Sequence, residues 1–186
     1  MLLHRRKIVK VSQIMTTIPA SFVAFDLETT GFNPPGSRII EIGAVKVVNW
    51  EVVETYQKLV NPGCLIPANI TILTGIDDRM VFSAFPIEMI LPEFLDFVQD
   101  FPLAAHNIQF DMGFIRYDAR RMGYTLANTL VDTVPLCRRC FPKLTNHKLG
   151  TVARHLNALG DAEHRGLQDA MVVARILQYA NQNLLL

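Results

Sequence analysis

Phe22-Val23-Ala24-Phe25-Asp26-Leu27-Glu28-Thr29-Thr30-Gly31 opens as an apolar run, meets two carboxylates and ends in a turn. Phe22 to Phe25 reads as a strand entering Asp26. Gly31-Phe32-Asn33-Pro34-Pro35-Gly36 is strong turn punctuation. Beyond it, Arg38 to Val48 is a longer β-rich stretch. A third strand is expected over Val52 to Leu59, closed by Asn61-Pro62-Gly63. Three early strands with short links imply an antiparallel meander. In a strand, side chains two apart share a face, so Asp26 and Glu28 are expected to point the same way. Neighbouring anions raise each other's pKa unless a cation lies between them, and hard oxygen ligands are what Mg²⁺ or Mn²⁺ takes. Taken alone, the pair also suits a solvated strand end.

Outward from this stretch the pattern changes. Over Pro86 to Phe97, with Val98 beyond, Ile87, Ile90, Leu91, Phe94, Leu95 and Val98 fall at helical spacing, and Pro102 to Ala105 reads as a short buried strand. Ile108 to Met122 is expected as a helix, Leu126 to Val134 as a strand region, and Lys148 to Leu156 as another helix. A final helix over Gly166 to Asn181 presents Leu167, Ala170, Met171, Val173, Ala174 and Leu177 on one broad face. Strands first and βα units afterwards imply an α/β fold: a mixed β-sheet, antiparallel meander plus parallel strands, flanked by helices. Residues 1–20 read as an N-terminal extension and 21–186 as a single domain, since 186 residues suit one hydrophobic core.

With half of its residues hydrophobic and 19% charged, the chain has ample material to bury and no compositional sign of disorder. A net charge of +1 gives no broad basic field, although from Arg138 onward Arg138, Arg139, Lys143, Lys148, Arg154, Arg165 and Arg175 outnumber Asp161, Glu163 and Asp169. That end is suited to touching phosphates. Cys64, Cys137 and Cys140 are too few for a disulfide framework, which points to a reducing, cytoplasmic setting. Arg5, Arg6, Lys7 and Lys10 are not followed by an apolar leader core, and no apolar run reaches the roughly 18 residues that span a bilayer, so no membrane association is expected.

Two further segments carry chemistry. Ala105-His106-Asn107-Ile108-Gln109-Phe110-Asp111 places an acid just after a buried strand, in the opening turn of a helix. Such an acid also complements a helix dipole without any ligand. His164-Arg165-Gly166-Leu167-Gln168-Asp169 sets a histidine in the lead-in to the last helix and an aspartate one turn inside it.

In this order the segments resemble the DEDDh branch of the DnaQ-like 3′ to 5′ exonucleases, the family of bacterial proofreading subunits and domains. The resemblance spans roughly residues 21–181. It is carried by Phe25 to Gly31, Ile40-Glu41-Ile42-Gly43-Ala44-Val45, Leu73-Thr74-Gly75-Ile76, His106-Asn107 with Phe110-Asp111, Asp132-Thr133, and His164 to Asp169. It implies a ribonuclease H-like fold in which Asp26, Glu28, Asp111 and Asp169 bind two divalent cations, Mg²⁺ or Mn²⁺. Two such ions about 4 Å apart acidify an attacking water and stabilise the leaving 3′ oxygen. His164 is then the base, because an imidazole with an ordinary pKa of about 6.5 suits that proton transfer at neutral pH. In the family the pair matching His106-Asn107 shapes the site, and Asn107, Thr29, Thr30 and Thr74 are expected to contact the terminal nucleotide.

The chain departs from the common family pattern at Gln168, at Gly166 where alanine is usual, and at Thr74 where the proofreading subunit has histidine. Glycine weakens a helix by about 1 kcal/mol relative to alanine, so a mobile corner is expected there. His147 and His155 read as surface or cap residues and His4 as part of the basic leader. Cys137-Arg138-Arg139-Cys140 has zinc-like spacing but lacks a second paired motif. The expected activity is release of nucleoside monophosphates from single-stranded 3′ ends, DNA preferred, in proofreading or repair with a DNA polymerase as partner. An RNA-trimming enzyme of the same branch and a silent nucleic-acid-binding module are the alternatives, the latter disfavoured by the intact set of acids.

Overall fold

The computed structural model describes residues 18–158 and 164–184. The basic leader through residue 17, and Asp161 and Glu163, lie outside the described residues. Five strands form one sheet: β1 Phe22–Thr29, β2 Ile39–Val48, β3 Glu51–Leu59, β4 Leu103–Ala105 and β5 Leu130–Asp132. Their order is β3-β2-β1-β4-β5, with β1, β2 and β3 antiparallel and β4 and β5 parallel to β1. The expected mixed sheet is therefore present. Seven helices accompany it among the described residues: α1 Ala68–Thr74, α2 Asp78–Phe82, α3 Ile87–Val98, α4 Ile108–Arg121, α5 Thr133–Cys140, α6 Leu149–His155 and α7 Gly166–Asn183.

β1 is buried on both faces, which explains its apolar composition. Val23, Phe25 and Leu27 pack with α3 and α4 through Ile90, Leu91, Phe94, Met112 and Ile115. The Phe25 and Phe94 rings lie 5.7 Å apart. Phe22 and Ala24 face the other way, against Val173, Ala174 and Leu177 of α7. Alternation then sends Asp26 and Glu28 to the α7 face, at the end of a strand whose apolar half has fixed its orientation. The β2–β3 hairpin turns through Asn49 and Trp50, both at positive φ, as a two-residue turn matched to strand twist requires.

Several elements differ from the sequence reading. α1, α2 and α5 are helices of 7, 5 and 8 residues, too short to display a clear 3.6-residue period. α5 begins where the β5 region was expected to continue, because Asp132 accepts the Val134 N–H and caps the helix. Cys137 points into a core cluster with Phe141, Val152 and Ile176, while Cys64 is exposed. No described helix is long and apolar enough to cross a membrane.

Candidate active site

β4 stops at Ala105 whereas β1 runs on to Thr29, so the edge of β1 beyond the pairing with β4 is open to α4. Asp111, in the first turn of α4 and only 2% exposed, fills that gap: its Oδ1 accepts the Leu27 N–H at 3.2 Å. The bond falls between Asp26 and Glu28 in sequence and brings the third acid to the first two. Asp169 comes from the opening turn of α7, above the face to which Asp26 and Glu28 point. Ligand atoms of Glu28, His164 and Asp169 lie within 4.8 Å of one another, with His164 exposed and at φ 60°.

Four carboxylates from two strand positions and two helix openings thus converge, and their electrostatics record it. Burial raises the Asp26 carboxyl well above its ordinary range, and Asp111, Asp169, Glu28 and Glu41 raise it further. Glu28 is pushed up to about 8 by burial, then by Asp169, Glu41 and Asp111, against a lowering by Arg165. Asp111 is pushed up to about 8 by burial, opposed by its backbone hydrogen bonds. Such a donor set, all hard oxygen, with Asp26, Glu28 and Asp111 raised by burial and Asp26 and Glu28 also by the neighbouring acids, fits divalent cations.

Sequence reasoning quoted Glu41 and Gly43 only as part of a motif. The structure places both beside the converging acids, opposite Glu28 and Asp26. Glu41 is fully buried on β2, opposite Glu28, and accepts Arg165 Nη2 at 2.8 Å, Arg165 Nε at 3.2 Å, the Gly166 N–H at 2.9 Å and Gln57 Nε2 at 3.0 Å. Gly43 lies opposite Asp26, and a Cβ built there would sit 1.9 Å from the Gly166 carbonyl carbon. A Cβ at Gly166 would lie 2.8 Å from the Gly43 N. Gly166 is therefore a residue of close approach, buried against β2. The signal was present: an ionisable residue inside the apolar stretch Ile39 to Val48 needs a partner, and glycine two positions on shares its face.

The remaining expected residues divide. His106 bonds through both ring nitrogens, Nδ1 to Thr133 Oγ1 at 2.9 Å and Nε2 to the His147 carbonyl at 2.7 Å, and burial lowers its pKa. It is a brace. The Thr29 hydroxyl donates to the Gly31 carbonyl at 2.6 Å, and the Thr30 hydroxyl accepts the Arg38 N–H at 2.9 Å, so both close the β1–β2 turn. Thr74 is 4% exposed and its hydroxyl is engaged by the Ile70 carbonyl and the Ile76 N–H. That inward placement removes the expected nucleotide contact through its hydroxyl. Asn107 is exposed in a left-handed conformation, its N–H held by Asp132 and its side chain making no cap bond to α4.

Residues 23–177 match the family model RNase_T, described as exonuclease. The chain belongs to this exonuclease family. The chain is 44% identical over 159 residues to the DNA polymerase III PolC-type protein of Clostridium perfringens (strain 13 / Type A), covering 86% of this chain and 11% of that one. It is 38% identical over 157 residues to the 3′-5′ exonuclease DinG of Bacillus subtilis (strain 168), covering 83% and 17%. The chain thus spans a small fraction of the curated relatives it matches. Among solved structures, exonuclease X in complex with 5′ overhanging duplex DNA superposes with a TM-score of 0.70 at 21% identity, over 87% of this chain and 92% of that chain. That likeness establishes the ribonuclease H-like fold. Exonucleases of this fold use divalent metal ions.

Proposed function

We propose that this domain is a 3′ to 5′ exonuclease that removes nucleoside monophosphates from single-stranded DNA ends, with Asp26, Glu28, Asp111 and Asp169 holding two divalent cations, Mg²⁺ or Mn²⁺. The observation that carries the reading is the convergence of four acids, two of them pushed up to about 8, around a space that only positive charge makes tolerable. When bound, such ions acidify water and neutralise charge on the phosphate and the leaving oxygen. The chain's own residues do the rest. His164, exposed at the rim beside Glu28 and Asp169, takes the proton of the attacking water and passes it to solvent. Leu27 N–H holds Asp111 in place, and the closed turn of Thr29 and Thr30, together with the exposed Asn107, meets the terminal nucleotide.

DNA as substrate, proofreading or repair as the role, and a DNA polymerase as partner are supported by the PolC-type relatives. Three free cysteines, one of them exposed, suit the cytoplasm. The experiment is digestion of 5′-labelled single-stranded DNA, single-stranded RNA and a mismatched primer end with Mg²⁺, repeated with a chelator. Metal-dependent shortening of DNA from the 3′ end, with mononucleotide release, is expected. Absence of any metal-dependent product would overturn the nuclease reading, and a strong preference for RNA would move it to the RNA-trimming alternative.

A further inference from the structure

Five carboxylates, not four, surround this site, and the fifth has no place in the cation chemistry. Both Glu41 oxygens are fully subscribed: Oε1 takes Gln57 Nε2 and Arg165 Nη2, and Oε2 takes Arg165 Nε and the Gly166 N–H. A carboxylate has about four lone-pair sites, so Glu41 has nothing left for a metal ion. Its negative charge is answered by the Arg165 fork instead.

We propose that Glu41 is a positioning residue for this exonuclease, acting from β2 through Arg165 and the Gly166 amide to set His164 and Asp169 against Glu28. The inference rests on the nuclease reading above. A helix needs its first N–H groups satisfied, and the residue before α7, Arg165, supplies no side-chain cap. Glu41 accepts the Gly166 N–H in its stead, from 125 residues away, and its charge lies at the positive end of α7. The two residues it grips stand between His164 and Asp169, one residue after the base and three before the acid. Gly43, two residues along the same face of β2, lets the gripped backbone come into contact with the sheet. A carboxylate with no exposed surface cannot lose these donors without being left as an uncompensated buried charge, which makes the grip all-or-none. The base and Asp169 are thereby held to the strand that pairs with β1, the carrier of Asp26 and Glu28.

The test uses the full chain carrying Glu41→Gln and, separately, Arg165→Lys, which keeps the charge but loses the fork. Turnover of a 5′-labelled single-stranded oligonucleotide, its KM, the Mg²⁺ concentration for half-maximal rate, and the melting midpoint in chelator are measured. For Glu41→Gln, kcat is expected to fall about 10- to 100-fold and the Mg²⁺ requirement to rise several-fold. KM for the oligonucleotide is expected to stay within about twofold, since the lost alignment concerns the reacting groups. Arg165→Lys should move the same quantities in the same direction by less, and it carries the test if Glu41→Gln does not fold. A folded Arg165→Lys or Glu41→Gln variant whose kcat and Mg²⁺ requirement both match the unaltered protein would overturn the proposal, even with a lowered midpoint. An unaltered protein with no Mg²⁺-dependent activity would instead overturn the nuclease reading itself, so the two failures are distinct.

Discussion

Gly43 of β2 and Gly166 of α7 meet backbone to backbone, so closely that neither position has room for a methyl group without movement. The contact seats the start of α7 on the strand opposite Asp26 and fixes the height of Asp169 over the acids of β1. Gly43→Ala is expected to be the more damaging change, because its Cβ would overlap the Gly166 carbonyl carbon and the Leu167 N at 1.9 and 2.0 Å. Overpacking of this kind costs about 1–3 kcal/mol, so both the melting midpoint and kcat should fall. Gly166→Ala recovers about 1 kcal/mol of helix propensity against a milder overlap, so its midpoint should lie near that of the unaltered protein while kcat drops. Equal midpoints for the two variants would argue against a close contact centred on Gly43.

The acids predict how metal-free stability depends on pH. Glu28 and Asp111 titrate at about 8 in the folded chain, against ordinary values of 4.5 and 3.8. Between these limits the folded protein holds protons that the unfolded chain has released, so stability falls as pH rises. It is complete below about pH 4 and lost progressively up to about pH 8. In chelator, the melting midpoint should therefore be higher at pH 5 than at pH 8. Saturating Mg²⁺ should raise the pH 8 midpoint far more than the pH 5 midpoint. A midpoint in chelator that rises from pH 5 to pH 8 would contradict the convergence of the acids.

Asp26→Asn removes one buried carboxylate from a set whose members raise one another. Turnover should be abolished while the chelator melting midpoint at pH 8 is unchanged or higher, because repulsion and desolvation are both relieved. Calorimetric titration with Mg²⁺ should show weakened binding. Normal activity, or a midpoint several degrees lower, would count against Asp26 as a ligand.

His164→Ala is expected to reduce kcat by about 10²- to 10⁴-fold, the range of a lost general base. Because His164 is exposed, the midpoint should hardly move, and Mg²⁺ binding should persist through the carboxylates. Normal turnover in the folded variant would remove His164 from the base role.

His106→Ala provides the contrast. It strips partners from the Thr133 hydroxyl and the His147 carbonyl. A loss of about 1–3 kcal/mol in stability is expected, with the shape of the pH–rate profile unchanged. A shifted profile would give His106 a chemical part that its two occupied nitrogens argue against.

Much of the site was legible because each piece is local. Asp26 and Glu28 share a face by strand period, and Asp111 and Asp169 stand in opening turns of helices whose apolar periodicity is plain. The missed parts are those whose meaning lies across the sheet. Glu41 resembles any acid in a strand until Arg165 and Gly166 are beside it. Thr74 looks available in the sequence, yet packing turns it inward. The short helices α1, α2 and α5 were hidden because so few turns show the period weakly, although α6, at seven residues, was read.

By itself, the sequence determined the alternation of apolar and polar positions, and with it the mixed sheet, the chain order of the strands and longer helices, and the acids that those elements present. Those features follow from chain geometry over a few residues, a period of 2 or 3.6 that neighbouring side chains cannot escape. Only the tertiary structure decided distances between elements: Asp111 on the Leu27 N–H across 84 residues, Glu41 on the Gly166 N–H across 125, and glycine against glycine between β2 and α7. Such contacts depend on how buried faces pack at close to crystalline density, where a single methyl group moves a helix, and no local pattern carries that information.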